Sequence, residues 1–208
     1  MAGQSPFASE LWRPLLTLVS AAVVLMGSPG PSTMSVTAVG AAFGPRRSLR
    51  YASGLVLGTS AVLLAVASGV VTLLLSIPGL APALGTVSAL YMVYLALRIA
   101  TAPPLSTRGN DAAAPSFAGG FLLAIANPKA YLAIAAVFTS ATVASQSLLL
   151  DVLAKTAVLA AMIVVIHFAW LFAGASLARF LRDPPRSRIV NLAFAAILLA
   201  TAVLALTR

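Results

Sequence analysis

Gly27-Ser28-Pro29-Gly30-Pro31-Ser32 places two prolines and two glycines inside an apolar segment that starts near Leu15 and runs on to Phe43. Pro29 and Pro31 carry no N–H, so a continuous helix would leave the carbonyls of Leu25 and Gly27 without partners, and each ring drives the preceding residue toward extended conformations. The stretch therefore breaks a helix. Within a bilayer, irregular backbone is tolerated only where protein buries it or where it lines a cavity. The break is thus either a plain kink or part of a binding site.

The composition places this break in a membrane. The chain of 208 residues is 61% hydrophobic and 8% charged, with a mean hydropathy of +1.04, which is far too apolar for an ordinary soluble domain. It reads as a polytopic membrane protein whose main surroundings are the lipid bilayer. Cysteine is absent, which excludes disulfides and thiolate metal sites. The net charge of +9 does not point to nucleic acid, because the basic residues are scattered among the ends of apolar runs rather than gathered in one stripe. Glu10 and Arg13 are the only charges before the first apolar run. The basic head of a signal peptide is missing, and the first helix is expected to stay in the mature protein.

With about 20 apolar residues per crossing, six spans are predicted. The first covers about Leu11 to Phe43, interrupted at Ser28. A basic loop from Gly44 to Arg50 precedes the second, about Tyr51 to Ile77, and a turn at Pro78-Gly79 leads into the third, about Leu80 to Ile99. Pro103 to Pro115 reads as a true loop. The fourth span, about Phe117 to Val143, is interrupted by Asn127-Pro128-Lys129. Asp151 and Lys155 introduce the fifth, about Val152 to Gly174, and the sixth covers about Ile189 to Leu206. Of the 13 basic residues, nine (Arg46, Arg47, Arg50, Arg98, Arg108, Arg179, Arg182, Arg186 and Arg188) fall in loops on one side, whereas Arg13, Lys155 and Arg208 fall on the other. The excess of positive charge belongs inside, which predicts a cytoplasmic-membrane protein with both termini extracytoplasmic.

The two interruptions sit in matching places in two halves of three spans, about residues 1–101 and 116–208 of one transmembrane domain. Three spans per half invert the second half. The predicted fold is therefore all-α, six transmembrane helices as two inverted-topology three-helix repeats, with helices one and four broken near the midplane. Inverted halves with discontinuous helices are the pattern that points to a transport site. Ser28-Pro29 and Asn127-Pro128 each read as a capping side chain followed by proline at the first helical position. Two helix starts converging at the midplane offer unpaired N–H groups and positive dipole ends to a carboxylate, Lys129 adds a full charge, and freed carbonyls at Leu25, Gly27 and Ala124 offer acceptors to an ammonium. The predicted substrate site is Ser28, Pro29, Gly30, Pro31, Ser32, Asn127, Pro128 and Lys129, suited to an amino acid or a related zwitterion or anion.

Lys129 is the only mid-span Lys or Arg. An ammonium there costs at least about 2.5–3.5 kcal/mol unless it is paired. Snorkelling to an interface is the structural alternative, but roughly ten apolar residues, about 15 Å of helix, separate it from the end of its span. His167 reads either as a proton relay or as a hydrogen-bonded structural histidine. Tyr91 and Tyr94 share a helix face and either line the cavity or pack. Gly40, Gly44, Gly54 and Gly58 suit close helix packing, and a homodimer through such small-residue faces fits the same pattern. Trp12 and Trp170 suit the interfacial belt. No metal-ligand cluster, cofactor loop or nucleophile with a base is present in the sequence, so no cofactor is expected and an enzyme is not indicated.

Ser28-Pro29-Gly30-Pro31, Gly44 with its arginines, Gly54, and Asn127-Pro128-Lys129-Ala130 together resemble the LysE/RhtB translocators over most of the chain. Leu90-Tyr91-Met92-Val93-Tyr94-Leu95 and Arg188-Ile189-Val190-Asn191 are similar to weaker signatures of that family. The resemblance implies a six-span inner-membrane exporter of amino acids or related metabolites, driven by the proton-motive force. Members commonly carry an acid where this chain has Ser32, and often another where it has Thr59 and Ser60. Those departures point away from carboxylate-based proton coupling and from basic amino acids as cargo. A secondary exporter is the leading reading, and a non-transporting membrane scaffold or assembly subunit is the alternative.

Overall fold

The computed structural model describes residues 6–70, 76–101, 114–177 and 183–206. Every regular element among them is helical: α1 (Pro6–Ala21) running into a π turn (Ala22–Met26), α2 (Pro31–Phe43), α3 (Pro45–Ala67), α4 (Leu80–Ala100), α5 (Phe117–Ala126), α6 (Pro128–Thr139), α7 (Leu148–Leu177) and α8 (Pro184–Leu206). Four helices, α3, α4, α7 and α8, are long and apolar enough to cross a bilayer. The α1–α2 and α5–α6 pairs bend by 68° and 63°, and counting each pair as one broken span brings the number to as many as six.

Several boundaries differ from expectation for local reasons. The basic stretch after Gly44 is helical rather than a loop, because Gly44 takes the reversal alone at φ 75° and Pro45 follows as the first helical residue. Gly44 is accordingly a turn residue with nothing near its missing Cβ, not a packing residue. The helices α7 and α8 likewise begin earlier than predicted, at Leu148 and Pro184. Residues 71–75, 103–113, Arg179, Arg182 and Arg208 lie outside the described residues.

The first break is built from backbone constraints. Gly27 N–H reaches the Ala22 carbonyl at 3.1 Å, the wide closure of a π turn, and a Cβ on Gly27 would overlap the Val23 carbonyl. Gly30 is extended, as a residue before proline must be, and Pro31 rather than Pro29 takes the first position of α2. Ser28 does not cap this helix, since its Oγ turns back to the Leu25 carbonyl at 2.9 Å. Instead, Gly30 N–H donates to Thr33 Oγ1 at 2.9 Å, half of a reciprocal cap. At the second break Asn127 does cap, its Oδ1 accepting from Lys129 N–H at 3.1 Å with Pro128 following as the first helical residue.

The innermost element is α2, in which every residue but Met34 is buried. It packs on α7, α3, α8, α4 and α5. Its hydroxyls are satisfied locally, Ser35 on the Ser32 carbonyl at 2.9 Å and Thr37 on the Thr33 carbonyl at 2.8 Å. Lipid tails are as apolar as side chains, so helices associate through close packing rather than water exclusion. Glycines supply that closeness. A Cβ on Gly174 would overlap the Thr37 carbonyl across the α2–α7 seam, and one on Gly54 the Phe117 carbonyl across the α3–α5 seam. The outer faces carry exposed Leu16, Val24, Leu57, Leu90, Leu122 and Val165, as a lipid-facing surface requires.

Candidate functional site

The two breaks meet. Asn127 Nδ2 donates to Ser32 Oγ at 3.0 Å, tying the start of α6 to the start of α2. Lys129, on the first turn of α6, reaches back across the junction. Its Nζ donates to the Ser28 carbonyl at 2.7 Å, to Ser28 Oγ at 2.8 Å and to the Pro29 carbonyl at 2.8 Å. An ammonium has three N–H donors, and here each finds an oxygen of the first break. This arrangement offsets the desolvation that an ammonium meets at membrane depth. The alkyl chain lies over Gly30, where an added Cβ would stand 2.7 Å from Lys129 Cδ and 2.9 Å from Nζ.

A cavity of about 40 Å³ opens at this junction. Its polar wall consists of Ser28, Gly30, Ser32, Thr33, Thr59, Asn127, Lys129 and His167, and its apolar wall includes Leu25, Met26, Ala133, Ile134, Ile163 and Ile166. The volume admits a few waters, and displacing the Lys129 side chain would enlarge it. No Asp or Glu lines it among the described residues. Two helix N-termini and one ammonium make its surroundings electropositive.

Of the predicted site residues, Ser28, Gly30, Ser32, Asn127, Lys129 and His167 line this cavity, Pro29 contributes its carbonyl to Lys129, and Pro31 and Pro128 start the two helices. Tyr91 and Tyr94 are not brought to it. The Tyr91 hydroxyl lies against Gly119 of α5, and Tyr94 is 46% exposed with its hydroxyl accepting from Arg98 Nη1 at 2.9 Å. A shared helix face fixed their proximity, with ring centroids 5.7 Å apart, but not the direction of the face.

The carbonyls expected to await a substrate ammonium are occupied. Leu25 accepts from Ser28 Oγ, Ala124 from Asn127 N–H at 3.3 Å, and Gly27 from Trp170 Nε1 at 3.0 Å. Trp170 is thus a strut of the first break rather than a member of an interfacial belt. Broken helices satisfy their loose ends with whatever donor is within reach, which here is two side chains and one backbone N–H. Thr33, Thr59 and Trp170 were not predicted for the site. Trp170 stands one helical turn beyond His167, and that spacing was the available signal.

A second buried polar group lies apart from the cavity. Asp151 and Lys155 form an ion pair at 2.7 Å with both side chains 8% exposed. Asp151 Oδ1 also accepts from the N–H groups of Val143 and Ala144, the latter at 3.0 Å, and Lys155 Nζ stands 5.3 Å from the Phe138 ring centroid. The pair clamps the α6–α7 connection.

Comparison with protein families finds the LysE type translocator model matching residues 23–208, a range that contains both breaks. The chain belongs to the LysE type translocator family. Comparison with curated proteins and with solved structures found no match in either. LysE type translocators are transporters and not enzymes, so this chain is a multi-pass membrane protein of a small-molecule export family. In this LysE-type translocator the cavity lies between the breaks, and Lys129 is the charged side chain in its lining.

Proposed function

We propose that the protein is a secondary active exporter of amino acids or related small carboxylate-bearing metabolites across the cytoplasmic membrane, with its substrate site between the breaks at Ser28–Ser32 and Asn127–Lys129. The observation that carries this reading is the reach of Lys129 from one break into the oxygens of the other. A charged group shared by two helix starts binds a carboxylate by the helix dipoles and its own charge. A substrate ammonium then takes over the Ser28 and Pro29 oxygens that Lys129 releases. The two halves, about 1–101 and 116–208, act as inverted repeats that rock against each other around the site. Nine arginines on one side orient both termini outward.

The test is efflux from preloaded cells or proteoliposomes, with cargo first identified by profiling metabolites in the medium of cells with and without the protein. Lys129→Ala and Pro31→Ala proteins, inserted at normal levels, are expected to lose export. Unaltered export by both would overturn the site assignment.

A further inference from the structure

His167 is buried on α7, 4% exposed, and its Nδ1 lies 2.8 Å from the Ile163 carbonyl. A carbonyl oxygen only accepts, so Nδ1 carries the ring proton, and the neutral imidazole keeps a bare lone pair on Nε2. Nε2 has no hydrogen-bond partner among the described residues. On α3, Thr59 Oγ1 is likewise buried and unpartnered, and both residues line the cavity that holds Lys129. Buried polar atoms are nearly always paired, so each of these orphans calls for an explanation.

We propose that Nε2 of His167 is a proton-binding site beside the Lys129 cavity, and that its occupancy opposes the Lys129 ammonium. The imidazole takes a proton from hydronium and becomes imidazolium, which turns Nε2 from acceptor to donor. Among the described residues, the lining of the cavity it shares contributes one charge. Lys129 comes from α6, whereas Thr59 on α3, Ser28 at the break and Ser32 and Thr33 on α2 bring hydroxyls, and the π turn brings Leu25 and Met26. Two cations that line one cavity repel, so protonating His167 loosens the Lys129 latch, and the latched ammonium in turn weakens proton binding by the same factor. This supplies a coupling ion without a carboxylate. Its place in a transport cycle rests on the proposed function, but the proton site itself does not.

His167 is the only histidine in the chain, so histidine labelled with the NMR-active nitrogen isotope reports it alone, in the full protein in lipid nanodiscs. The expected result is the Nδ1–H tautomer at alkaline pH, converting to the doubly protonated ring on acidification. In Lys129→Met the midpoint should rise, with proton affinity at least about tenfold higher, and in Lys129→Arg it should stay with the unaltered protein. The opposite tautomer, the absence of titration between about pH 4 and 9, or a midpoint unmoved in Lys129→Met would overturn the proposal. Efflux plays no part in this readout, so its failure and that of the transport reading are separable.

Discussion

Lys129 Nζ and Ser28 Oγ stand 2.8 Å apart although 101 residues separate them in sequence. The charged residue of one helix break is thereby held by the neutral residue of the other, and any motion that parts the two breaks must first undo this contact. Replacing Lys129 by Met keeps the length and removes the donors. Burying an ammonium and satisfying it nearly cancel, so folding stability should change by no more than about 1 kcal/mol in thermal unfolding. Export should fall at least about tenfold, because about 1.4 kcal/mol of the barrier is a modest share of a charge-assisted contact. A large loss of stability with export intact would make the lysine a structural strut.

Gly30 is the floor on which the Lys129 chain lies. Alanine there would put a methyl 2.7 Å from Lys129 Cδ. Its extended backbone suits any residue, so the substitution acts on the lysine and not on the helix start. Gly30→Ala should therefore reduce export as Lys129→Ala does, with unchanged helicity. The double variant should be no worse than Lys129→Ala alone, the non-additivity that residues in one contact show. Additive losses would mean that Gly30 serves something else.

Both breaks were legible in the sequence because proline and glycine act through their own backbone chemistry, which needs no partner to be read. Lys129 was legible for a similar reason, since a lone charge within an apolar span must be paired somewhere. What the sequence could not supply was which oxygens receive it. Ser28 was read as a cap and its neighbouring carbonyls as free, yet the π turn moves the helix start to Pro31 and leaves Ser28 to Lys129. Tyr91 and Tyr94 were read correctly as one face, but helical spacing carries no information on which neighbour that face meets. Asp151 and Lys155 stood at pairing distance in sequence, and only the fold of residues 140–147 over them makes the pair buried.

That pair gives a stability prediction. Asp151→Asn removes the charge opposite Lys155 and leaves the lysine buried against Phe138. Breaking one side of a deep buried pair costs about 3–5 kcal/mol. This pair is near the start of α7 and shallow, so about 2 kcal/mol is expected from thermal unfolding in detergent. Asp151→Asn combined with Lys155→Met should recover most of the loss. A double variant as unstable as Asp151→Asn would assign the cost to the Val143 and Ala144 N–H groups instead.

Trp170 Nε1 is the donor that satisfies the Gly27 carbonyl at the end of the π turn. Phenylalanine retains the ring packing on the core around α2 and deletes the N–H, leaving that carbonyl without its side-chain donor. The cost of such a deletion is about 1–3 kcal/mol. Trp12, which is 50% exposed, is the internal control, because Trp12→Phe removes an indole that faces outward. Thermal unfolding of Trp170→Phe should therefore occur at a lower temperature than that of Trp12→Phe. Export should fall as well, since the carbonyls that hold Lys129 belong to the two residues that follow Gly27. If the two variants behave alike in both measurements, the indole of Trp170 is an interfacial anchor after all and the first break holds its shape without it.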